Sequence, residues 1–431
     1  MHRHRVQLAL IVATLAMPHA AHALNPLAGD YSKDQALDVR IMAYNTERNF
    51  IATAATDPEF NRILIALQPD IICFEEIVSS VTTTAMATRL NTIMPIGGAG
   101  WQIHFGILAG TRNALASRYP LLLKRTDTIP VSSTRGVTIA LVDLPDASYP
   151  LDVYLLGVHL KCCGDPGGTE DVSRQRSADA IANWLADARG VGRPSGNNIA
   201  LPANTPMIVL GDFNLVGGPQ PEATLLTGDI QDNATFSTDI KGDWDVTDLA
   251  NLNPLDPFTG NNFTWQGSSS FDPSPLDRFM VTDSAFTVAN KFILNTNTMT
   301  PAALAAAGLQ AGDTLPANAS DHLPIVVDLR ISNPCALDSD SDGTPDCTDG
   351  CPADALRIAP GLCGCNVAAA VQGNGDINRD THLDALDIQA FITELVSPSV
   401  PSEAACAADT NLSGSVTDAD VDQFVNLLLT P

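Results

Sequence analysis

The segment Met207-Ile208-Val209-Leu210-Gly211-Asp212-Phe213-Asn214 constrains this chain more than any other. Four consecutive apolar residues run into a glycine, and an Asp and an Asn follow two apart. A run this apolar fits a strand covered on both faces. Alternation along an extended backbone points Asp212 and Asn214 to the same side. A carboxylate and a carboxamide aimed together from a rigid strand end suit a hard divalent cation and a phosphate oxygen. Taken alone, the segment reads more often as an Asx-turn closing a strand than as a ligand pair.

The pattern recurs along the chain. Asp38 to Asn45 alternates and ends on Asn45, and Pro69 to Glu76 is an apolar strand that stops at acids. Between them, Pro58 to Gln68 has helical spacing (Phe60, Ile63, Leu64, Leu67), with Pro58 suited to a first helical turn. Asn113–Pro120 and Arg135–Asp143 read as a pair of strands, and the apolar strand Leu151–Leu160 carries His159. Val172–Arg189 is helical, with Ala180, Ile181, Trp184 and Leu185 on one face, and a Pro/Gly/Asn loop follows to Pro206. Phe263–Trp265 and Leu276–Val281 read as short strands, and Ser320-Asp321-His322-Leu323-Pro324 leads into the strand Ile325–Leu329. Strands outnumber helices, several neighbours lack a crossover helix, and acids recur at strand ends. That favours an α/β fold of two packed sheets with outer helices over one doubly wound sheet.

At 431 residues the chain has room for a large core and an appendage. His2-Arg3-His4-Arg5, the apolar run Leu8–Met17 and Ala21-His22-Ala23 make a signal peptide, cut after Ala23. No later stretch is apolar for long enough to span a bilayer, so the expected mature protein is secreted and extracellular or attached to a cell surface. Net charge is −26; residues 24–332 hold 19 Lys+Arg against 33 Asp+Glu, whereas residues 333–431 hold 2 against 16. With no basic block, phosphate chemistry must rely on metal and a few placed cations. Six of the nine cysteines fall at 335, 347, 351, 363, 365 and 406, a crowding that reads as disulfide stapling of a tail with little core.

Taken together, Ile-Met-Ala-Tyr-Asn45, Asp70-Ile-Ile-Cys-Phe-Glu-Glu76, Gly157-Val-His-Leu160, Gly211-Asp-Phe-Asn214, Leu276-Asp-Arg278 and Ser320-Asp-His322 resemble the endonuclease/exonuclease/phosphatase superfamily, the deoxyribonuclease I-like fold. They occur in family order. One departure is Glu75, where the family commonly has Gln. The resemblance implies a four-layer α/β sandwich that cleaves phosphate esters with water and a divalent metal. On that basis Asn45, Glu76 and Asp321 are the expected contacts for Mg²⁺ or Mn²⁺, with Glu47 as a possible second contact. Asp212 is expected to orient or deprotonate the attacking water, and Asn214 to donate to a phosphoryl oxygen. Asp277 would charge and fix His322, His159 would be a second donor, and Arg135 would meet a phosphate.

In the tail, Asp338, Asp340, Asp342, Asp346 and Asp349 stand at positions 1, 3, 5, 9 and 12 of a loop with Gly343 at position 6. That is a calcium-loop pattern. With Cys347, Cys351-Pro352 and Cys363-Gly-Cys365 it resembles a thrombospondin type 3 repeat. An internal repeat of 33 residues follows: Asp376, Asn378, Asp380, Asp384 and Asp387 recur as Asp409, Asn411, Ser413, Thr417 and Asp420. Each loop precedes one apolar helical stripe, Ile388/Phe391/Ile392/Leu395 and Val421/Phe424/Val425/Leu428. Two Ca²⁺ loops each followed by one helix resemble a type I dockerin, a helical EF-hand-like module, and imply docking to a cohesin on another protein. The expected division is therefore a signal peptide at 1–23, the catalytic domain at 24–332, a calcium and disulfide linker at 333–366 and the dockerin-like domain at 367–431.

These readings converge on a secreted metal-dependent phosphodiesterase, with a monomeric catalytic domain acting on nucleic acid. A phospholipase of sphingomyelinase type would share the site, but it needs an exposed apolar hairpin to enter lipid, and the sequence shows no convincing one. An inert calcium-bound adhesive protein is the non-enzymatic alternative. Retention of both histidines and their carboxylates argues against it.

Overall fold

The computed structural model describes residues 24–47, 58–127, 136–194, 199–331, 371–397 and 402–430, with scattered positions between 340 and 365. The expected signal peptide, Arg135, Asp338, Asp346, Cys335, Cys347 and Cys363 lie outside the described residues. The chain divides into two units, 1–331 and 332–431.

Among the described residues the first unit holds two six-stranded mixed sheets. One contains, in spatial order, β11 (Thr287–Ile293), β12 (Ile325–Arg330), β1 (Val39–Asn45), β2 (Ile71–Val78), β4 (Thr111–Ser117) and β3 (Gln102–Phe105). The other contains β5 (Leu121–Asp127), β6 (Val137–Val142), β7 (Val153–His159), β8 (Met207–Asp212), β10 (Asp277–Val281) and β9 (Ala250–Asn251). The parallel pairs are β1/β2 and β7/β8, which bring their carboxyl ends out together.

Alternation builds the layers. Val39, Ile41 and Ala43 of β1 share one buried cluster with Ile208, Leu210, Phe279 and Val281 of the other sheet. The intervening Met42 and Tyr44 pack with Phe60, Ile63, Leu64 and Leu67 of α1 (Pro58–Leu67). Each such large apolar side chain, fully buried, stabilises by roughly 1.5–3 kcal/mol relative to exposure. Tyr154, Leu156, Val158 and Val209 on the outer face of the second sheet pack with Ile181, Trp184 and Leu185 of α2 (Thr169–Ala188). Helix, sheet, sheet, helix is the four-layer sandwich.

Two local expectations are corrected. Asn113–Pro120 and Arg135–Asp143 do not pair: β4 bonds β2 and β3, while β6 bonds β5 and β7 in the other sheet. Period-two apolar runs identify strands but carry no sheet address, and the turn at Tyr119-Pro120 moves the chain from one sheet to the other. Phe263–Trp265 forms no regular strand; Trp265 makes isolated bridges to Ser274 and His322.

A buried ion pair ties two inner strands of the first sheet. Arg40 and Asp328 face one another across β1/β12, with Nε–Oδ1 at 2.6 Å and Nη2–Oδ2 at 2.7 Å. Arg40 Nη1 also donates to the Leu67 carbonyl at 2.7 Å, locking α1 to the sheet. Asp328→Ala leaves a guanidinium buried without its carboxylate, and the expected loss is about 3–5 kcal/mol. A urea midpoint within error of wild type would contradict this.

In the second unit α3 (Asp387–Val396), α4 (Glu403–Ala408) and α5 (Val421–Leu429) surround a small core. Phe391 and Phe424 stack with centroids 4.1 Å apart, joined by the buried alanines 405, 407 and 408 of α4. That third helix, capped by Ser402 Oγ accepting from Ala405 N, is absent from the sequence reading. The apolar stripes are wider than the core needs: Ile388, Ile392 and Val425 are 42, 46 and 43 % exposed. A disulfide joins Cys351 to Cys365, and Cys406 is also disulfide-bonded.

Candidate active site

The inter-sheet core turns polar where its strands end. Asn45 continues the inward parity of Val39, Ile41 and Ala43; His159 continues that of Val153 and Leu155; Asp212 continues that of Ile208 and Leu210. Asp277 begins the series Phe279 and Val281. Register then does the rest: His159 on one side and Asp277 on the other are the strand partners of Asp212.

Asp212 is the hub. Its Oδ2 accepts from Asn45 Nδ2 at 3.1 Å and lies 3.3 Å from His159 Nε2 and 3.9 Å from His322 Nε2. Its Oδ1 accepts from the Asn214 backbone N–H at 3.1 Å. Burial raises the Asp212 carboxyl pKa, the two imidazoles pull it back, and Asp277 adds to the rise. Asn214, in the left-handed region at φ +47°, donates its amide to the Leu160 carbonyl at 3.3 Å. Gly211 at φ +125° is required by space as well, since a Cβ there would lie 2.2 Å from the Val158 carbonyl oxygen.

His322 Nδ1 lies 2.7 Å from Asp277 Oδ2. Burial works to depress this imidazole, but the charge and hydrogen bond of Asp277, with Asp212 and Asp321 behind, outweigh it and push the pKa up to about 10. Asp277 itself is positioned by the Thr264 hydroxyl, which accepts from the backbone N–H groups of Leu276 and Asp277 at 3.0 and 2.8 Å. Asp321 Oδ2 accepts from the Trp265 indole at 2.8 Å, and its backbone N–H donates to Glu47 Oε2 at 3.0 Å. Burial first, and then Asp321, raise the Glu47 carboxyl. Ser320 Oγ donates to the Asn45 carbonyl at 2.7 Å, tying this loop to β1.

At β2 the register shifts between Phe74 and Ile77, and Glu76 takes φ +60°. The bulge re-aims the strand end, so Glu75 stays inside and Glu76 reaches the cleft, 3.9 Å from His159 Nε2. Glu75 is fully buried and accepts from the Cys73 thiol at 3.2 Å. Burial, then the Asp277 charge, push its carboxyl well above the usual range. A neutral carboxyl is the near-isostere of the carboxamide expected at this position.

Glu76, His159, Asp212, Asn214 and His322 line one cleft of about 720 Å³. Asn45, Asp277 and Asp321 stand immediately behind through the bonds above. Trp265, Thr264 and Ser320 escaped the sequence reading as supports of the site. Trp265 meets Asp321 across 56 positions, and no local pattern encodes that. Glu47, Glu76 and Asp321 supply carboxylate oxygens, and Asn45 an amide oxygen, a donor set that fits a hard cation taking few protein ligands.

The tail loops repeat one design. Asp387 Oδ1 accepts from Ile377 N and Asn378 N, and its Oδ2 accepts from Asp384 N. In the second loop, Asp420 accepts from Asn411 N and Thr417 N. Asp376 accepts from Asp380 N and Thr381 N, as Asp409 does from Ser413 N and Gly414 N. In the linker, Asp340, Asp342 and Asp349 bring oxygens within 4.8 Å of one another.

A model of the Endonuclease/Exonuclease/phosphatase family matches residues 42–322, and a model of the Dockerin type I domain matches residues 374–429. Among solved structures, D. rerio TDP2 complexed with single strand DNA product is 13 % identical, with 68 % of this chain and 99 % of that chain covered and a TM-score of 0.42. The human Nocturnin catalytic domain with bound sulfate is 16 % identical, with 68 % and 94 % covered and a TM-score of 0.42. An endonuclease/exonuclease/phosphatase from Beutenbergia cavernae is 18 % identical, with 69 % and 72 % covered and a TM-score of 0.41. No curated protein matches the chain. The family match spans well over half of the sequence, from the strand bearing Asn45 to His322 itself, so this chain belongs to the Endonuclease/Exonuclease/phosphatase family and is a metal-dependent phosphoric ester hydrolase.

Proposed function

We propose that the chain is a secreted phosphodiesterase, with nucleic acid as its leading substrate class, that hydrolyses its ester with an Asp212-activated water. The observation that carries this is the convergence of Asn45 Nδ2, His159 Nε2 and His322 Nε2 on Asp212 Oδ2. Asn45, Glu76 and Asp321 would hold Mg²⁺ or Mn²⁺, which when bound neutralises charge on the phosphoryl and leaving oxygens. Asp212, buried and held by its neighbours, orients the water and takes its proton. His322, kept charged by Asp277, and His159 donate to phosphoryl or leaving-group oxygen. Asn214 and Arg135 complete the phosphate contacts.

Residues 367–431 would act as a calcium-dependent dockerin that attaches the enzyme to a cohesin, with Asp376, Asn378, Asp380, Asp384 and Asp387, and Asp409, Asn411, Ser413, Thr417 and Asp420, as Ca²⁺ ligands. Residues 333–366 would be a linker of thrombospondin type 3 kind, with a third Ca²⁺ on Asp338, Asp340, Asp342, Asp346 and Asp349.

The test is purified protein with Mg²⁺ or Mn²⁺ against plasmid, single strands, sphingomyelin vesicles and inositol phosphates. Cleavage of nucleic acid is expected. Duplex affinity should be modest, because residues 24–332 carry 14 more acids than bases and screening acts over about 8 Å at physiological salt. Robust lipid hydrolysis with no nuclease activity on any strand would overturn the substrate ranking.

A further inference from the structure

One wall of the active-site cleft is a hairpin, residues 265–274. Trp265 N donates to Ser274 O at 3.0 Å and Ser274 N returns to Trp265 O at 3.2 Å; at the tip, Ser268 N donates to Phe271 O at 2.9 Å. Gly267 makes the turn at φ +81°, where a Cβ would come within 2.9 Å of the Phe271 carbonyl oxygen. The base of the hairpin is fixed to the site itself. Trp265 bridges His322, and its indole is bonded to Asp321. The tip therefore holds a set place relative to those residues.

Phe271 rides on that tip, 70 % exposed, and lines the same cleft as Glu76, His159 and Asp212. Val216, 44 % exposed, adds to the apolar lining. Trp265 is also a wall of a second cavity of about 230 Å³, which is lined by Asn261, Gln266, Asn295, Asn297 and the half-exposed Phe263. Aromatic faces flanked by carboxamides match the two surfaces of a nucleobase, its π face and its hydrogen-bonding edge. Among the described residues, no Lys or Arg lines either cavity. These walls therefore lack the cations that grip a run of backbone phosphates in a duplex.

We propose that the hairpin 265–274 is a base-stacking platform on which Phe271 receives the nucleobase next to the scissile phosphate, so that the enzyme selects single-stranded or short nucleotide esters. This rests on the phosphodiesterase reading above. A lipid occupant fits the tip poorly, because its sequence is Ser268-Ser269-Ser270-Phe271-Asp272. One aromatic among three hydroxyls and a carboxylate gives little area to enter a bilayer, yet one π face suffices for a base.

The test compares the full chain with Phe271→Ala and Phe271→Trp in Mg²⁺, on the p-nitrophenyl ester of thymidine 5′-phosphate and on methyl p-nitrophenyl phosphate. The thymidine-over-methyl preference in kcat/KM should fall about tenfold in Phe271→Ala, within the range for losing one stacked base, and return in Phe271→Trp. A ratio unchanged within twofold, or a wild-type preference for vesicles of sphingomyelin and phosphatidylcholine over both esters, overturns the platform. If wild type cleaves neither ester, the phosphodiesterase reading fails by itself. Equilibrium dialysis of AMP needs no turnover and then decides: a Kd about tenfold weaker in Phe271→Ala supports the platform, and an equal Kd removes it.

Discussion

Asp212→Asn and His322→Ala each lower turnover by at least roughly two orders of magnitude, the scale of a lost acid-base group or charge stabiliser, while circular dichroism and thermal midpoint change little. Asparagine keeps the shape of Asp212 and one acceptor oxygen, so it retains one of the two bonds received from Asn45 Nδ2 and the Asn214 backbone N–H, but the amide cannot take a proton from water. His322 lies in the loop just before β12 begins, so its removal touches chemistry more than packing. Asp277→Asn gives a distinct signature. With Asp277 present the His322 pKa is about 10, so the charged form persists through neutral pH and is lost only as pH rises through that value. Without the carboxylate, charge is lost as pH rises through the ordinary histidine range near roughly 6.5. The alkaline limb of the rate profile should therefore move to lower pH. Near-wild-type turnover in Asp212→Asn or His322→Ala would remove these residues from the mechanism.

The second large effect is expected in the tail. A calcium-selective chelator, added in excess Mg²⁺, should unfold residues 371–430 while phosphodiester cleavage continues. Residues 333–431 hold 16 acids against 2 bases, and among the described residues their buried core is Ile377, Val416 and three alanines around two stacked phenylalanines. That is little apolar area against the ordering entropy of two loops and three helices. Asp387 and Asp420 are fully buried, and bound cation would neutralise the carboxylates that converge with them. Extracellular loops of this kind bind at about 10⁻⁴ to 10⁻³ M, within reach of a chelator. Loss of helical circular dichroism and rapid proteolysis between 371 and 430 are the expected readouts. A tail equally resistant with and without chelator would refute calcium-dependent folding.

The strand ends were legible because their chemistry is local. Apolar runs stopping at Asn45, His159 and Asp212 give both the strand and the direction of its last side chain, since side chains alternate. The resemblance then supplied the order and the layers. The tail loops were legible for the same reason: the spacing of their polar residues is fixed within 12 residues, and the 33-residue repeat states it twice. Helix α4 has no apolar periodicity to read in Glu403-Ala-Ala-Cys-Ala-Ala; its alanines matter only by packing in the same small core as the stacked phenylalanines.

The sequence by itself determined which residues are strand tips, which faces are apolar, and that the carboxylates and imidazoles belong to one family pattern. Tertiary structure alone decided the pairing of strands into sheets, and so the fact that β4 and β6 part company. It decided that His159 and Asp277 flank Asp212 in register, that a bulge turns Glu76 outward while Glu75 is buried with its carboxyl pKa pushed up, and that Trp265 reaches Asp321 to fix the hairpin bearing Phe271. The physical reason is common to all of these. A side chain's direction follows from its own few neighbours, but its partners and its pKa depend on groups tens to hundreds of positions away that only the packed sheets bring within a few ångströms.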